Sequence, residues 1–326
     1  MSQQLDTEHL EVFARAAARE HGVPDAHLTL LNVSENATYR ADTQDGRRLV
    51  LRVHRTGYHT REAIHSELTW VRALRDDRVV RTAPVVPTPD GREIVAVTHP
   101  GGEERFVVAF EWMDGVEPPE DRLVEDFAQL GGIAARLHEH AKAWQRPAGF
   151  TRFTWDYDTS LGDRGHWGRW QDGLGVGHDE LDVLGRCAEV LRGRLEAFGK
   201  GRDRFGLVHA DMRLANLLVD GPDVAVIDFD DCGFSWFLYD LGSSLSFIEH
   251  LPVVPELIDS WVRGYRAVAP LSAEDVAELP TFVMLRRLLL VSWIGSHSAV
   301  PEAQALGAPF TAVSCDLAEN YLSTFG

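Results

Sequence analysis

Between Leu207 and Asp231 the chain reads LVHADMRLANLLVDGPDVAVIDFDD, an apolar segment interrupted by acidic and amide side chains. Two hydrophobic runs, LLV and VAVI, flank the turn GPD, and this pattern predicts a β-hairpin. Carboxylates collect at both ends of the hairpin, and burying a carboxylate is costly unless it is paired or binds a metal. The segment therefore predicts a site that holds cations.

Asp211, Asn216 and Asp228 carry the chemistry expected of this site. The hairpin between Asn216 and Asp228 is expected to bring these two residues close together. Their amide and carboxylate oxygens are ligands of the kind that Mg²⁺ takes, together with water and phosphate oxygens. A separate carboxylate, that of Asp211, can orient a hydroxyl group and accept its proton. This division of roles is the one that kinases use for phosphoryl transfer.

The rest of the chain, 326 residues in all, predicts an α+β fold in two lobes. A helix over 6–21 precedes the strands LTLLNV, ATYRA and RLVLRVHR, the helix REAIHSELTWVRALR, and the strands EIVAV and RFVVAF. This is the order of an antiparallel sheet with one main helix. Later apolar periodicity is helical, with Phe127 and Leu130 on one helix face and long patterns over 179–198, 252–268 and 272–297. We predict a nucleotide-binding N-lobe over 1–112, and a C-lobe over 113–326 that carries the catalytic loop, metal site and acceptor pocket.

Three motifs, HADMRLAN, VIDFDD and FLYDLGSSL, resemble the catalytic signature of the aminoglycoside phosphotransferase and choline kinase-like family. The segments FEWMDG, ARLHEHA and PAGFTRFTWD extend the resemblance over most of the chain. The resemblance implies a bilobal protein kinase-like fold, with Asp211 as catalytic base and with Asn216 and Asp228 as Mg²⁺ ligands. It also implies that Asp240 braces the catalytic loop and that Asp230 is a further metal or water ligand.

A cation on the third strand, paired with a glutamate on the next helix, is the kinase arrangement for holding phosphates. Arg52 and Glu67 occupy these positions, so we predict that this pair binds the nucleotide. An ordinary structural ion pair is the alternative. Between the first two strands, Ser34 and Asn36 lie in a polar turn that can offer donors to phosphate oxygens, or can simply be a hairpin turn.

The stretch FVVAFEWM ends where such folds meet the nucleotide base. We predict base contacts from the backbone at Glu111 and Met113, and the sequence leaves ATP and GTP equally open. His209 is expected to be structural and to pack beneath the catalytic loop.

The phosphate acceptor is expected to be a hydroxyl group of a small molecule, similar to an aminoglycoside, choline or homoserine. Too few residues separate Asp228 from Asp240 to form a peptide-docking segment. Pockets lined by aromatic and acidic side chains bind ammonium groups. The helical part of the chain contains a set of tryptophans and aspartates that could line such a pocket. The tryptophans can equally be core residues and the carboxylates solvated. The set consists of Trp155, Asp156, Asp158, Trp167 and Trp170.

The formal net charge of −18 argues against a nucleic-acid or anionic-membrane partner, because both require a basic surface. Arg286 and Arg287 interrupt the most apolar late stretch, which argues against a membrane span. Three scattered cysteines and an acidic N-terminal stretch predict a cytoplasmic protein without disulfides. The oligomeric state stays open.

Three other functions compete with a small-molecule kinase. One is a stress-response-type protein Ser/Thr kinase, and another is a nucleotide-binding pseudokinase, which the arginine at position 52 in place of lysine leaves open. The third is a phosphatase or phosphomutase that uses DFDD, although Cys232 stands where that motif has Thr or Val, and the motif lies far from the N-terminus.

Overall fold

The computed structural model describes residues 7–33, 36–119, 122–221, 223–298 and 300–326. The chain divides into two compact units that interleave along the sequence. Unit 1 comprises Met1–Val116, Arg146–Thr151 and Leu218–Asp230, and unit 2 comprises Glu117–Gln145, Arg152–Leu217 and Asp231–Gly326. Residues 209–216, the predicted catalytic loop, belong to unit 2, and Asp228 and Asp230 belong to unit 1.

Unit 1 is built on a five-stranded antiparallel sheet with the strand order β1-β2-β3-β5-β4. The strands are β1 (His27–Val33), β2 (Ala37–Asp42), β3 (Arg48–Val53), β4 (Ile94–Thr98) and β5 (Glu104–Glu111). Every predicted strand of this part of the chain is present, because alternating apolar residues suit a sheet with side chains on two faces.

Helices α1 (Thr7–Glu20) and α2 (Arg61–Asp76) cover opposite faces of this sheet. Phe13 and its apolar neighbours on α1 pack with one set of strand residues, which includes Val107 and Ala109. Ile64 and Leu68 on α2 pack with Val108, which points to the opposite face from Val107 and Ala109. Arg52 lies opposite Val108 in the ladder between β3 and β5, and its side chain lies on the face that α2 covers.

A two-stranded hairpin, β8 (Leu217–Asp220) and β9 (Asp223–Val226), adds to unit 1. The sequence predicts this hairpin from its two apolar runs, and Gly221 turns with φ = 59°, a left-handed conformation that glycine adopts without strain. A parallel bridge joins Ala225 to Arg81, and a second bridge joins Val219 to Val116. The hairpin leads directly into the segment 227–230, which also belongs to unit 1.

Unit 2 is mostly helical and also contains a three-stranded sheet with the order β6-β10-β7. The strands are β6 (Phe153–Thr154), β7 (Phe205–Val208) and β10 (Gly233–Trp236). The helices are α3 (Leu123–Ala143), α4 (Tyr157–Ser160), α5 (His178–Phe198), α6 (Tyr239–Ser244), α7 (Val254–Arg266), α8 (Ala273–Ser296) and α9 (Pro301–Phe325).

Helices α3 and α7 cross at two glycines. A Cβ atom on Gly131 would lie 2.0 Å from the main-chain oxygen of Trp261, and one on Gly264 would lie 1.8 Å from that of Ala128. Real Cβ contacts are much longer, so the backbones can approach this closely only because both positions lack a side chain. Replacement of either glycine would push the two helices apart.

Helix α8 is long and apolar enough to span a membrane by composition alone, but 78% of its most apolar window is buried inside the protein. Burial of this extent indicates that α8 is a core helix of unit 2. Its two internal arginines, Arg286 and Arg287, are also buried.

Helix α9 and the sheet β6-β10-β7 were not expected from the sequence. The helical geometry of α9 is interrupted at Gly307, whose φ of 51° and ψ of −155° are non-helical, and Pro309 follows. This break hides the helical periodicity of the segment. The small sheet escapes notice because its strands are short and distant in sequence.

Candidate active site

The loop that follows β7 in unit 2 is fixed from below by Asp240, a fully buried residue of α6. The Asp240 carboxylate accepts hydrogen bonds from the main-chain N–H groups of His209, at 3.2 Å, and Ala210, at 2.8 Å. It also accepts one from His138 Nε2 on α3 at 3.0 Å, while His138 Nδ1 lies 3.2 Å from the hydroxyl of Tyr265. Ala210 has φ = 68°, a conformation that costs a non-glycine residue energy and persists only where its surroundings impose it.

Asp240→Asn is expected to lower the free energy of unfolding by about 1–3 kcal/mol, because an amide cannot accept all three hydrogen bonds and leaves a buried donor unsatisfied. Thermal and denaturant unfolding would measure the loss, and Asp259→Asn on the exposed side of α7 is the matched control. An unchanged stability of Asp240→Asn would contradict the bracing role.

The Asp211 carboxylate has hydrogen-bond donors at both of its oxygens. Oδ1 accepts from Arg286 Nη2 at 2.8 Å. Oδ2 accepts from Asn216 Nδ2 at 2.9 Å and lies 3.4 Å from Arg213 Nε. Burial raises the pKa of Asp211, but the charges of Arg213 and Arg286 outweigh burial and hold that pKa below its ordinary value. Asp211 is thus a carboxylate anion with a fixed orientation.

Asn216 stands at the end of a short 3₁₀ turn, Leu214–Asn216. Its amide nitrogen donates both to the main-chain oxygen of Asp211, at 2.8 Å, and to the Asp211 carboxylate. Because the two amide protons are directed at Asp211, the amide oxygen points the other way. An outward amide oxygen fits the ligand chemistry of a hard divalent cation.

In unit 1, Arg52 and Glu67 form a buried ion pair. Arg52 Nη2 donates to Glu67 Oε1 at 2.6 Å, and the exposed fractions of the two side chains are 6% and 1%. The Arg52 guanidinium also lies 5.2 Å from the centre of the Phe110 ring. Arginine suits this position because its planar fork can hold one carboxylate while other donors face elsewhere.

The same guanidinium also contacts Asp228, because Arg52 Nη1 donates to Asp228 Oδ1 at 3.4 Å. Its side chain is 51% exposed, and its backbone has φ = 61°. Residues other than glycine adopt this left-handed conformation infrequently, although aspartate does so more readily than most. The residue fits the donor chemistry of a divalent metal ligand.

Asp230 is buried and lies among cationic and amide groups of unit 1. Its Oδ2 accepts from Asn36 Nδ2 at 2.7 Å, while Oδ1 lies 3.3 Å from His54 Nδ1 and 3.6 Å from His59 Nε2. Burial raises the pKa of Asp230, but the Arg52 charge and the two imidazoles outweigh burial and hold that pKa well below its usual range. His54 and His59 were not expected from the sequence.

Asn36 belongs to the turn predicted before β2, and its Oδ1 accepts from the main-chain N–H of Arg55 at 3.1 Å. Ser34, the other predicted phosphate contact of this turn, lies outside the described residues. At the end of β5, the N–H of Glu111 donates to Pro84 O and that of Trp112 donates to Arg48 O. Met113 follows directly, and the base contact predicted for these residues stays a prediction.

Residues 27–276 match the model of a family described as the phosphotransferase enzyme family. The chain belongs to this family. The match covers both the Arg52–Glu67 pair and the loop around Asp211, so the kinase-like α+β fold and the phosphotransferase activity predicted from the sequence are confirmed. The phosphatase alternative is excluded by the same match.

Two kinases named for small molecules are similar to this phosphotransferase along nearly its whole length. The microcompartment-associated aminopropanol kinase is 49% identical, with a TM-score of 0.90 over 97% of this chain and 98% of its own. Amicoumacin kinase of Bacillus subtilis (strain 168) is 27% identical over 292 residues, which are 86% of this chain and 83% of that protein. These relatives disfavour the alternative of a protein Ser/Thr kinase or pseudokinase.

A third comparison shows the fold alone. The amicoumacin kinase hAmiN, solved in complex with AMP-PNP, Ca²⁺ and Ami, is 24% identical, with a TM-score of 0.76 over 94% of this chain and 96% of its own.

The tryptophans expected to line an acceptor pocket are core residues of this phosphotransferase. Trp155, Trp167 and Trp170 are all buried, so the alternative that the sequence left open for them applies. Asp156 caps α4 by accepting from the N–H of Thr159 and forms an ion pair with Lys200 at 2.6 Å. Asp158 is largely exposed.

Arg286 and Arg213 both lie near Asp211, and the sequence assigned neither of them to the site. A signal for Arg286 was present, because a charge inside the apolar run of α8 must find a partner when it is buried. The sequence did not indicate which carboxylate that partner would be, since Arg286 and Asp211 are far apart along the chain.

Proposed function

We propose that this phosphotransferase moves the γ-phosphoryl group of a nucleoside triphosphate to the hydroxyl group of a short amino alcohol such as aminopropanol. The observation that carries the proposal is the 49% identity with the aminopropanol kinase along 97% of the chain. Because the similarity extends along nearly the whole chain, an acceptor with an amine next to a hydroxyl group is the first expectation.

Asp211 is the catalytic base in this proposal. Its carboxylate is ionised and held by donors on both oxygens, so it can accept a hydrogen bond from the acceptor hydroxyl and orient the oxygen for attack. It takes the hydroxyl proton as the acceptor oxygen bonds to the γ-phosphorus, while the bond from that phosphorus to the bridging oxygen of the β-phosphate breaks and the nucleoside diphosphate leaves. His209, fully buried beneath the loop, and Asp240 support this geometry and do not contact the reacting atoms.

Asn216 and Asp228 are the proposed ligands of Mg²⁺, through the outward amide oxygen of the first and the half-exposed carboxylate of the second. Mg²⁺ bound by these residues would neutralise the negative charge of the nucleotide phosphates during phosphoryl transfer. We assign Asp230 to the support of Arg52 and Asn36, because its oxygens already face the Asn36 amide and two imidazoles.

Arg52, held by Glu67, is the proposed contact for the nucleotide phosphates, together with Asn36 and, from the sequence alone, Ser34; the backbone at Glu111 and Met113 is the proposed contact for the base. A guanidinium can hold a carboxylate and a phosphate at once through different N–H groups. ATP is the proposed donor, and GTP is the competitor to be tested beside it.

The proposal is tested by ADP or GDP release from the purified protein with Mg²⁺ and a panel of acceptors. The panel contains aminopropanol, ethanolamine, choline, homoserine, an aminoglycoside and amicoumacin, with propanediol as the matched acceptor that lacks an amine. We expect release with the short amino alcohols and a phosphate ester in the ³¹P NMR spectrum of the product. Equal release with propanediol would contradict the role of the amine, and release with the aminoglycoside alone would replace the acceptor class.

Asp228→Asn is expected to raise the Mg²⁺ concentration for half-maximal activity by at least about tenfold, since even the loss of a residue that supports a metal ligand typically costs that much affinity. Activity is titrated with Mg²⁺ after treatment with a chelator, which should abolish turnover reversibly in the native protein. Asp220→Asn, on the exposed end of the same hairpin, is the control. An unchanged Mg²⁺ titration of Asp228→Asn would remove Asp228 from the ligand set.

A cytoplasmic location, without nucleic-acid or membrane partners, completes the proposal. The net charge of −18 disfavours anionic partners. The three cysteines, which all lie among the described residues, form no disulfide, and this suits a reducing compartment.

A further inference from the structure

Two neighbouring buried arginines lie in the middle of α8, and each is paired with a different acid. The Arg286 side chain is 3% exposed and donates to Asp211, whereas the Arg287 side chain is 1% exposed and donates from Nη1 to Glu249 Oε2 at 2.7 Å. Removing a guanidinium from water is costly, so each pair requires well-placed partners. The two arginines are therefore similarly buried, and their pairs differ in whether the acid belongs to the catalytic loop.

The Arg286 guanidinium contacts both the backbone and the carboxylate of that loop. Nη1 donates to the main-chain oxygen of Ala210 at 3.3 Å and to the hydroxyl of Tyr239 at 3.1 Å, and Nε donates to Ser246 Oγ at 2.9 Å. Trp167 lies beneath it, with the ring centre 5.1 Å away. These contacts fix the guanidinium, so its bond to Asp211 has a defined direction.

Asp240 and Arg286 hold complementary backbone groups of the same residue, Ala210. Asp240 accepts from the N–H of Ala210, and Arg286 donates to the carbonyl of Ala210, the residue with φ = 68°. Within the loop, Asp240 contacts main-chain N–H groups, whereas Arg286 also donates to the side-chain Oδ1 of Asp211 at 2.8 Å. Arg286 on Oδ1, with Asn216 and Arg213 on Oδ2, then sets the carboxylate plane, and Oδ1 keeps a further lone pair for an acceptor hydroxyl.

We infer that Arg286 is a positioning residue for phosphoryl transfer, which acts by fixing the rotamer of Asp211 toward the acceptor hydroxyl. The inference rests on the proposed role of Asp211 as catalytic base. It goes beyond that role because it assigns the orientation of the base to a residue of α8. A displacement of about 1 Å in a reacting group can reduce a rate about 100-fold, so loss of this contact should lower kcat and leave nucleotide binding nearly intact.

The test compares Arg286→Met with Arg287→Met in the full-length protein. Both variants remove a buried guanidinium from the same helix, so both are expected to lower the unfolding temperature. We expect Arg286→Met to lower kcat about 10–100-fold at saturating substrates, with the nucleotide KM changed less than about threefold. Arg287→Met should keep kcat within about threefold of the native value at temperatures where it is folded. Equal kcat values for the two variants would overturn the inference.

Two gentler variants cover the case in which Arg286→Met does not fold. Arg286→Lys keeps a cation near Asp211 without the fork and should give an intermediate kcat. Tyr239→Phe removes one group that holds the guanidinium and should lower kcat a few-fold. Native kcat in both would also overturn the inference.

A double variant shows whether Arg286 acts through Asp211. If it does, adding Arg286→Met to Asp211→Asn should leave the residual single-turnover rate nearly unchanged, because the oriented base is already gone. A further drop by the full Arg286→Met factor would show an independent role. Native turnover of Asp211→Asn itself would instead refute the proposed catalytic base, so the two failures are distinguishable.

Discussion

Asp211→Asn is expected to lower kcat by about 10²–10⁴-fold, the usual contribution of a positioned general base. The amide keeps the shape of the side chain but cannot take the proton of the acceptor hydroxyl. Nucleotide affinity should change little, because the proposed phosphate contacts come from Arg52 and its neighbours. Initial rates over a range of acceptor concentrations, with nucleotide affinity measured by calorimetry, would separate the two effects.

Asparagine is the informative replacement because its amide oxygen can still accept a hydrogen bond from Arg286, whereas alanine would remove that acceptor together with the charge. An unpaired charge in a side chain that is only 3% exposed costs stability, typically about 3–5 kcal/mol when one partner of a buried pair is removed. The matched control is Asp259→Asn, an exposed acid of the same unit. Loss of nucleotide affinity in parallel with kcat in Asp211→Asn would contradict the role of a base and indicate a role in nucleotide or metal binding.

The sequence predicts the elements whose apolar pattern is regular and long. Phe127 and Leu130 mark the buried face of α3, and both are fully buried in the structure. The strands of unit 1 follow from alternating residues, as in β2, where Ala37, Tyr39 and Ala41 are buried and their neighbours are partly exposed. Helix α9 escapes prediction because Gly307 and Pro309 break its period, which leaves two short patterns where the chain forms one kinked helix.

The candidate site likewise contains residues that the sequence identifies by their local pattern and a residue whose partner only the fold identifies. Asp211, Asn216 and Asp228 lie within one short stretch, and their types and spacing indicate their chemistry. Arg286 reaches Asp211 from a helix whose sequence is otherwise apolar, so the position of its charge is visible in the sequence but its partner is not. Spacing cannot identify such a partner, because the contact depends on how α8 packs in unit 2.

His54 and His59 illustrate the same limit in unit 1. Nothing in their sequence neighbourhood connects them with the segment 227–230, yet His54 Nδ1 lies 3.3 Å and His59 Nε2 lies 3.6 Å from Asp230 Oδ1. The surroundings of Asp230 therefore became visible only with the fold. Its carboxylate is enclosed by donors, and this environment differs from that of the half-exposed Asp228 only two residues earlier.

Arg52→Met is expected to lower kcat/KM for the nucleotide by at least about 100-fold and to destabilise unit 1 by about 3–5 kcal/mol. The loss of activity follows from the removal of a fixed cation at the proposed phosphate position, where one such group is typically worth about 10²–10³-fold. The loss of stability follows because Glu67, with a side chain only 1% exposed, would be a buried carboxylate without its partner at 2.6 Å. Turnover, nucleotide affinity and denaturant unfolding would measure the three quantities.

The double variant Arg52→Met with Glu67→Gln separates a phosphate contact from a structural ion pair. Because it removes both charges of the pair, it should recover much of the stability that Arg52→Met loses. It should not recover turnover, since no cation then remains at this position of β3. Arg52→Lys is the complementary variant, because a lysine keeps the charge but cannot hold Glu67 and Asp228 through separate N–H groups of a planar fork. Recovery of native turnover in the double variant would show that Arg52 serves only the stability of unit 1, and the nucleotide phosphates would then require another cation.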